Sequence, residues 1–482
     1  MPTLTKNQGR LLFAGLILAA GFFFLFRLGA NAFLDYDEAT YAQVVKEAMD
    51  NKEYCSFNLW GQRWIDKPPL YFWLAIGSAK VFEFNELALR LPSALLGILA
   101  VIITWLLAFR LTKNYFTAFL AGAILALSGE FAFAARQVRL DVPVAAAVLA
   151  SVYFFIRGWE NSKWFLAMGA ALAAGVLTKS VVGLFALPAM FAFSLAYKKW
   201  DYLKSGWFWG GPVFMFGLLF PWHYIETKKY GIEFWNTYVG HHLFSRVAAP
   251  IQGSGITVWH YFKYLFFLVE PWMAVMAALV IWQIARHGKK WKEYNPLSLA
   301  SFLSFIFIFS IFAVSKTRLF YYLEPIYPFM AIFIAASLFD FLEWMKPEKK
   351  AARNFILILL FLGLCNTIWQ VIELRENFSS EYETANLEKE AGLKLASEAP
   401  LPAFSYGYLW LETLNFYSQR KINMHPGESV ESAGIYLIAN PKLFQLYRPA
   451  KIFRERNEPI FEKGDVGVYR IRPGEATPIF NQ

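Results

Sequence analysis

Residues 34–70 read LDYDEATYAQVVKEAMDNKEYCSFNLWGQRWIDKPPL, a long polar interval in an otherwise strongly apolar first half of the chain. It opens with Asp35, Asp37 and Glu38 directly after a hydrophobic stretch and closes with Asp66-Lys67-Pro68-Pro69 before an aromatic run. Carboxylates massed at a membrane surface lose solvation free energy unless a cation, a proton or a ligand answers them. Ordinary charges on a solvated loop would look the same, and the segment alone leaves both readings open. Ala42, Val45 and Met49 recur at helical spacing, which predicts a short amphipathic helix lying at the interface, and 71–82 predicts another.

Outward from this loop the composition decides the class. The 482 residues are 57% hydrophobic, 19% aromatic and only 17% charged, which marks an α-helical polytopic membrane protein. In a soluble protein the net charge of +10 would point to nucleic acid, but here the basic residues cluster between apolar spans and report topology. The two cysteines, Cys55 and Cys365, form no CxxC or Cys/His cluster, so neither a disulfide framework nor a structural zinc site is supported.

Apolar spans are expected at 11–30, 90–109, 115–131, 142–157, 164–178, 181–197, 206–223, 262–285, 297–314, 322–342 and 354–372, about eleven in all, given the ~20 residues that cross a bilayer. Lys6 and Arg10 hold the first segment inside, and its long apolar run reads as a retained helix rather than a signal peptide. Counting from there, the clusters at Arg110/Lys113, Arg157/Lys163, Lys198/Lys199/Lys204, Arg286–Lys292 and Lys346–Arg353 all fall inside. The external loops are then 31–89, 130–141, 224–261 and 315–324, so the unusual polar residues share one face. Residues 1–372 form the membrane part. From 373 to 482 the composition is that of a small external α/β domain, with strands expected at 402–408, 434–440 and 466–471.

Asp141, in Arg139-Leu140-Asp141-Val142-Pro143, stands where a span begins; a helix cap and a rigidly held catalytic carboxylate are compatible roles there. Lys67, Lys179, Arg246, Lys316 and Arg318 are the external cations, against the competing role of snorkelling at span ends. Lys67 is set apart by the two prolines that fix the backbone after it. Arg246 follows His241-His242, but adjacent histidines rarely share one metal and no third ligand is near in sequence, so no metal site is assigned. Tyr321 and Tyr322 begin a span, where interfacial aromatics are common. Asp35-Tyr36-Asp37 is formally a DxD pattern, which leaves a divalent cation open as the one cofactor. Cations and carboxylates on one external face suit displacement at a sugar carbon with a lipid-phosphate leaving group, the cations neutralising the phosphate and a carboxylate taking the acceptor proton. No glycine-rich nucleotide loop is visible, as expected if the bilayer delivers the donor.

The ordered motifs Asp37-Glu38-Ala39-Thr40-Tyr41-Ala42, Asp66-Lys67-Pro68-Pro69-Leu70, Arg90-Leu91-Pro92, Arg139-Leu140-Asp141-Val142-Pro143, Leu177-Thr178-Lys179, Pro221-Trp222-His223-Tyr224 and Ser315-Lys316-Thr317-Arg318 through Tyr321-Tyr322 resemble the GT-C glycosyltransferases of the protein O-mannosyltransferase superfamily. The nearest likeness is to the bacterial aminoarabinose transferases that modify lipid A, over roughly residues 10–340. That resemblance implies Asp37 and Glu38 at the catalytic centre with Asp141 from the second outer loop, and Lys67 and Arg246 on the lipid phosphate. Tyr321 and Lys179 are assigned to the phosphate with them.

The implied protein is a monomeric, multi-pass enzyme of the cell inner membrane, with its active site on the external or periplasmic face. It would take a polyprenyl-phosphate sugar such as an undecaprenyl-phosphate donor and modify lipid A, another envelope glycan or a protein. Two departures bear on specificity: fewer spans than the lipid A enzymes, and Ala39-Thr40 where a glycine-basic pair often follows Asp-Glu. A secondary transporter or lipid flippase is the rival from another class. It would place acidic groups at mid-membrane, whereas these stand at span ends.

Overall fold

The structure is a computed structural model that describes residues 4–245, 249, 257–268, 271–288, 290–345, 379–406, 411–423, 435–439 and 459–471. Among the described residues, six helical segments are long and apolar enough to cross a membrane: Lys6–Leu25, Glu86–Thr112, Asp141–Gly158, Trp164–Tyr197, Pro296–Val314 and Tyr321–Trp344. Leu70–Phe82, Tyr115–Ala126 and Trp272–His287 are shorter apolar helices. The expected span 354–372 lies outside the described residues.

Four helix starts have a side-chain cap. Thr5 and Gln8 form a capping box at the start of Lys6–Leu25, and the side chains of Asn85, Asn114 and Asn295 cap the helices that follow them. The 164–197 segment is a hairpin: Trp164–Lys179 ends in the 3-10 turn Ser180–Phe185, and Ala186–Tyr197 runs back until the Tyr197 ring lies tilted against Trp159, 5.6 Å between centroids. Gly175 and Gly183 let the two arms touch backbone to backbone, since a Cβ on either would collide with the other. That turn fixes Lys179.

Two expected spans are divided. The 262–285 span is Val258–Leu268 followed by Trp272–His287, which starts after Pro271, because proline cannot donate the bond a continuing helix needs. The 115–131 span stops at Ala126, and the short helix Gly129–Ala134 follows. Tyr327–Trp344 is the axle of the membrane part, with Phe329 to Leu338 buried throughout, and the 3-10 turn Phe320–Ile326 leads into it.

The loop between the first and second spans is an ordered layer. It holds the helix Asp37–Asp50, a hairpin pairing Phe57–Leu59 with Gln62–Trp64, and the helix Leu70–Phe82. Ala42 and Val45 are fully buried on the inner face of the first helix, against Tyr71, Phe72, Leu140 and the aromatic residues Phe416 and Tyr417 of the carboxyl-terminal region. In that region a four-stranded sheet runs in the order Ala403–Tyr406, Ile435–Ala439, Val466–Ile471, Pro459–Lys463; the first pair is parallel and the others antiparallel. The strand Pro459–Lys463 is an addition to those expected. Helices Ser379–Ala396 and Glu412–Ser418 attach this module to the loop layer.

Candidate active site

A cavity of about 520 Å³ lies between the loop layer, the ends of the membrane helices and the module. Asp37, Lys67, Asp141, Lys179 and Tyr321, drawn from five separate stretches of chain, all line it. Asp37 is the first residue of its helix and half-buried at the cavity wall. Lys67 comes next to Asp66, and the buried Pro68 and Pro69 behind it lead into Leu70–Phe82.

Asp141 is 3% exposed and pairs with Lys179; the Arg139 Nε stands 3.4 Å from its other oxygen. The Arg139 guanidinium lies 4.3 Å over the Tyr321 ring, and the Lys179 ammonium lies 5.6 Å from that ring and 4.9 Å from the Tyr322 ring. The two cations and two rings hold Asp141 in one orientation, and they bring Lys179 to the cavity as an ammonium flanked by aromatic faces.

Glu38 is expected beside Asp37 at the catalytic centre, but it is 2% exposed and does not line the cavity. It accepts from Arg90 Nε at 2.9 Å and Nη2 at 2.8 Å, from Leu34 N at 2.9 Å and from Val138 N at 2.7 Å. Adjacent residues of one helix point about 100° apart, so Asp37 at the wall turns Glu38 into the core. Arg90 spends its remaining donors on the carbonyls of Leu28, Asn31 and Ala32. Glu38 therefore ties the first loop to the second.

The DxD pattern separates in the same way. Asp35 accepts the Thr413 backbone N–H at 2.5 Å and is absent from the cavity lining, while Asp37 faces it. Burial pushes the Asp35 carboxyl above the usual range against the pull of the Thr413 hydrogen bonds. Among the described residues no group of three or more His, Cys, Asp or Glu is placed to hold a metal ion. Arg246 lies outside the described residues.

Three contributions to the site come from residues outside those assigned from the sequence. Arg139 stands two residues before Asp141, and its alternating charge in that motif was the available signal. Trp60, Gln62 and Trp64 reach the cavity from a hairpin whose turn at Trp60-Gly61 has positive φ at both residues. Glu412, Asn415 and Lys421 enter from the module, more than 370 residues along the chain from Asp37, and nothing local in the sequence announces that contact.

The family model described as dolichyl-phosphate-mannose-protein mannosyltransferase matches residues 66–225. A protein of Aquifex aeolicus (strain VF5) is 30% identical over 348 residues, covering 71% of this chain and 65% of that protein. The undecaprenyl phosphate-alpha-4-amino-4-deoxy-L-arabinose arabinosyl transferase 2 of Pseudomonas fluorescens is 26% identical over 356 residues, 72% of this chain and 59% of its own length. This chain thus spans less than two thirds of either relative. Among solved structures, ArnT from Cupriavidus metallidurans bound to undecaprenyl phosphate superposes with a TM-score of 0.72 at 17% identity, covering 97% of this chain and 98% of that one. The Archaeoglobus fulgidus oligosaccharyltransferase superposes with a TM-score of 0.54 at 12% identity, over 92% and 70% of the two chains. The chain has the GT-C fold, and its sequence is similar to those of the bacterial aminoarabinose transferases.

Proposed function

We propose that the protein is a glycosyltransferase that moves a sugar from a polyprenyl phosphate to an envelope acceptor at the periplasmic face of the inner membrane. The observation that carries this reading is the convergence of Lys67, Lys179 and Tyr321 on one cavity wall with Asp37 in the same cavity. Two ammonium groups beside a membrane suit a lipid phosphate, and a half-buried carboxylate suits an acceptor hydroxyl. The relatives named as undecaprenyl-phosphate aminoarabinose transferases support the donor class. Carboxylates at helix ends on one face favour this chemistry over a transporter or flippase.

In the proposed reaction the acceptor oxygen attacks the sugar carbon and its proton passes to Asp37. The bond between that carbon and the phosphate oxygen breaks, and the electron pair leaves on the phosphate, where Lys67 and Lys179 neutralise it. Arg246 joins them in this proposal, Asp141 orients Lys179, and Glu38 holds the loop that carries Asp37. The acceptor is lipid A, another envelope glycan or a protein. Purified protein given undecaprenyl-phosphate sugars with lipid A as acceptor should release undecaprenyl phosphate and glycosylated lipid A. Release with envelope glycan or protein alone would redirect the acceptor, and no release with any acceptor would refute the reading.

A further inference from the structure

Two buried carboxyl groups behind the Lys179–Asp141 pair take no part in that reaction. Glu324, in the 3-10 turn Phe320–Ile326 three residues after Tyr321, is 0% exposed, and neither carboxyl oxygen has a hydrogen-bond partner among the described residues. Glu130, on the short helix Gly129–Ala134, is 5% exposed, and its Oε1 is likewise unpartnered among the described residues. The charged groups facing Glu324 are Glu130, Asp141, Arg139 and Lys179; Glu130 also faces Glu381 of the module. Orphaned buried oxygens are rare in folded proteins and call for an explanation.

Charge counting supplies one. With every member ionised, this inner cluster sets the carboxylates Glu130, Asp141 and Glu324 against the cations Arg139 and Lys179, so one negative charge stays buried without an answer. A single proton restores the balance. Asp141 is a poor place for it, because both its oxygens already face cations. Glu324 is the carboxyl with no donor on either oxygen, and a neutral acid costs far less there than an anion.

We propose that Glu324 is a positioning residue that holds a proton in the resting protein, so that Lys179 has Asp141 as its single anionic partner and can turn to an anionic group entering the cavity. This rests on the phosphate-binding role proposed for Lys179. An ionised Glu324 would compete for the ammonium and repel the incoming anion, so loss of its proton should weaken anion binding.

The test uses the detergent-purified full chain. An infrared spectrum should contain the carbonyl stretch of a buried carboxylic acid that is missing in Glu324→Gln. Binding of undecaprenyl phosphate by the wild type should fall by about tenfold per pH unit above the ionisation midpoint, as one linked proton requires, while Glu324→Gln retains its affinity through that range. Glu324→Met, apolar and of similar volume, should repeat both results if the glutamine variant does not accumulate. Identical binding profiles for wild type and both variants, or no acid band assignable to Glu324, would overturn the proposal. A wild type that binds no undecaprenyl phosphate at any pH would instead refute the donor reading and with it the positioning role; the infrared band would still decide where the proton sits.

Discussion

Arg90 and Glu38 meet in a two-point ion pair, Nε to Oε1 at 2.9 Å and Nη2 to Oε2 at 2.8 Å, with each side chain 2% exposed. One member leads the amphipathic helix of the first loop and the other sits in the first turns of the second long span. The pair therefore anchors the loop carrying Asp37 to the membrane part. Removing one partner leaves the other charged and buried, at a cost of about 3 to 5 kcal/mol. Arg90→Ala and Glu38→Ala should each lower the thermal unfolding midpoint of the purified protein by that equivalent. Arg90→Lys should recover little, because an ammonium cannot reproduce the planar fork. Midpoints equal to wild type would show that the loop is held elsewhere.

Lys67 and Lys179 are expected to act on the lipid phosphate. Lys67→Ala or Lys179→Ala should each weaken undecaprenyl phosphate binding by about 1.5 to 3 kcal/mol, the worth of a charged hydrogen bond, with insertion unchanged. Titration of purified protein with undecaprenyl phosphate measures this directly. Unchanged affinity in both variants would remove them from the phosphate site.

The module's attachment carries its own pH dependence. Burial, with the neighbouring Asp35 and Glu412 carboxylates, pushes the Glu388 carboxyl from 4.5 up to about 9, and burial raises Asp35 and Glu412 as well. A carboxyl raised in the folded state is equally protonated in both states at low pH, so its favourable contribution is fully present below about 4.5. That contribution is lost progressively as pH rises toward 9. The module's resistance to proteolysis should therefore decline across this window in the wild type and decline less in Glu388→Gln. The same slope in both proteins would place the titration in other groups.

Much of this site was legible in the sequence, and the parts that were not share a physical cause. Asp37, Lys67, Asp141, Lys179 and Tyr321 stand at the ends of strongly apolar segments, where hydropathy and the distribution of basic residues fix which face they share, so their meeting in one cavity follows from topology. The inward turn of Glu38 depends on Arg90, 52 residues away, and on the backbone N–H of Val138, 100 residues away. No local pattern encodes that. The same holds for Thr413, which binds Asp35 across 378 residues, and for the module residues that close the cavity. The division of a span leaves little trace in the sequence, because a proline or a short turn interrupts an apolar run without changing its average hydropathy, as Pro271 does.

Asp37 is proposed to take the proton of the acceptor, and one substitution isolates that role. Asp37→Asn keeps the side chain's shape while removing its charge, and Asp37 is not part of the Arg90–Glu38 anchor. The variant should insert, unfold at the wild-type temperature and bind undecaprenyl phosphate normally. Its transfer of sugar from an undecaprenyl-phosphate donor should be about 100-fold to 10,000-fold slower, the usual contribution of a general base. Transfer at the wild-type rate by purified Asp37→Asn protein would exclude Asp37 as the base and leave Asp141 as the other candidate carboxylate in the cavity.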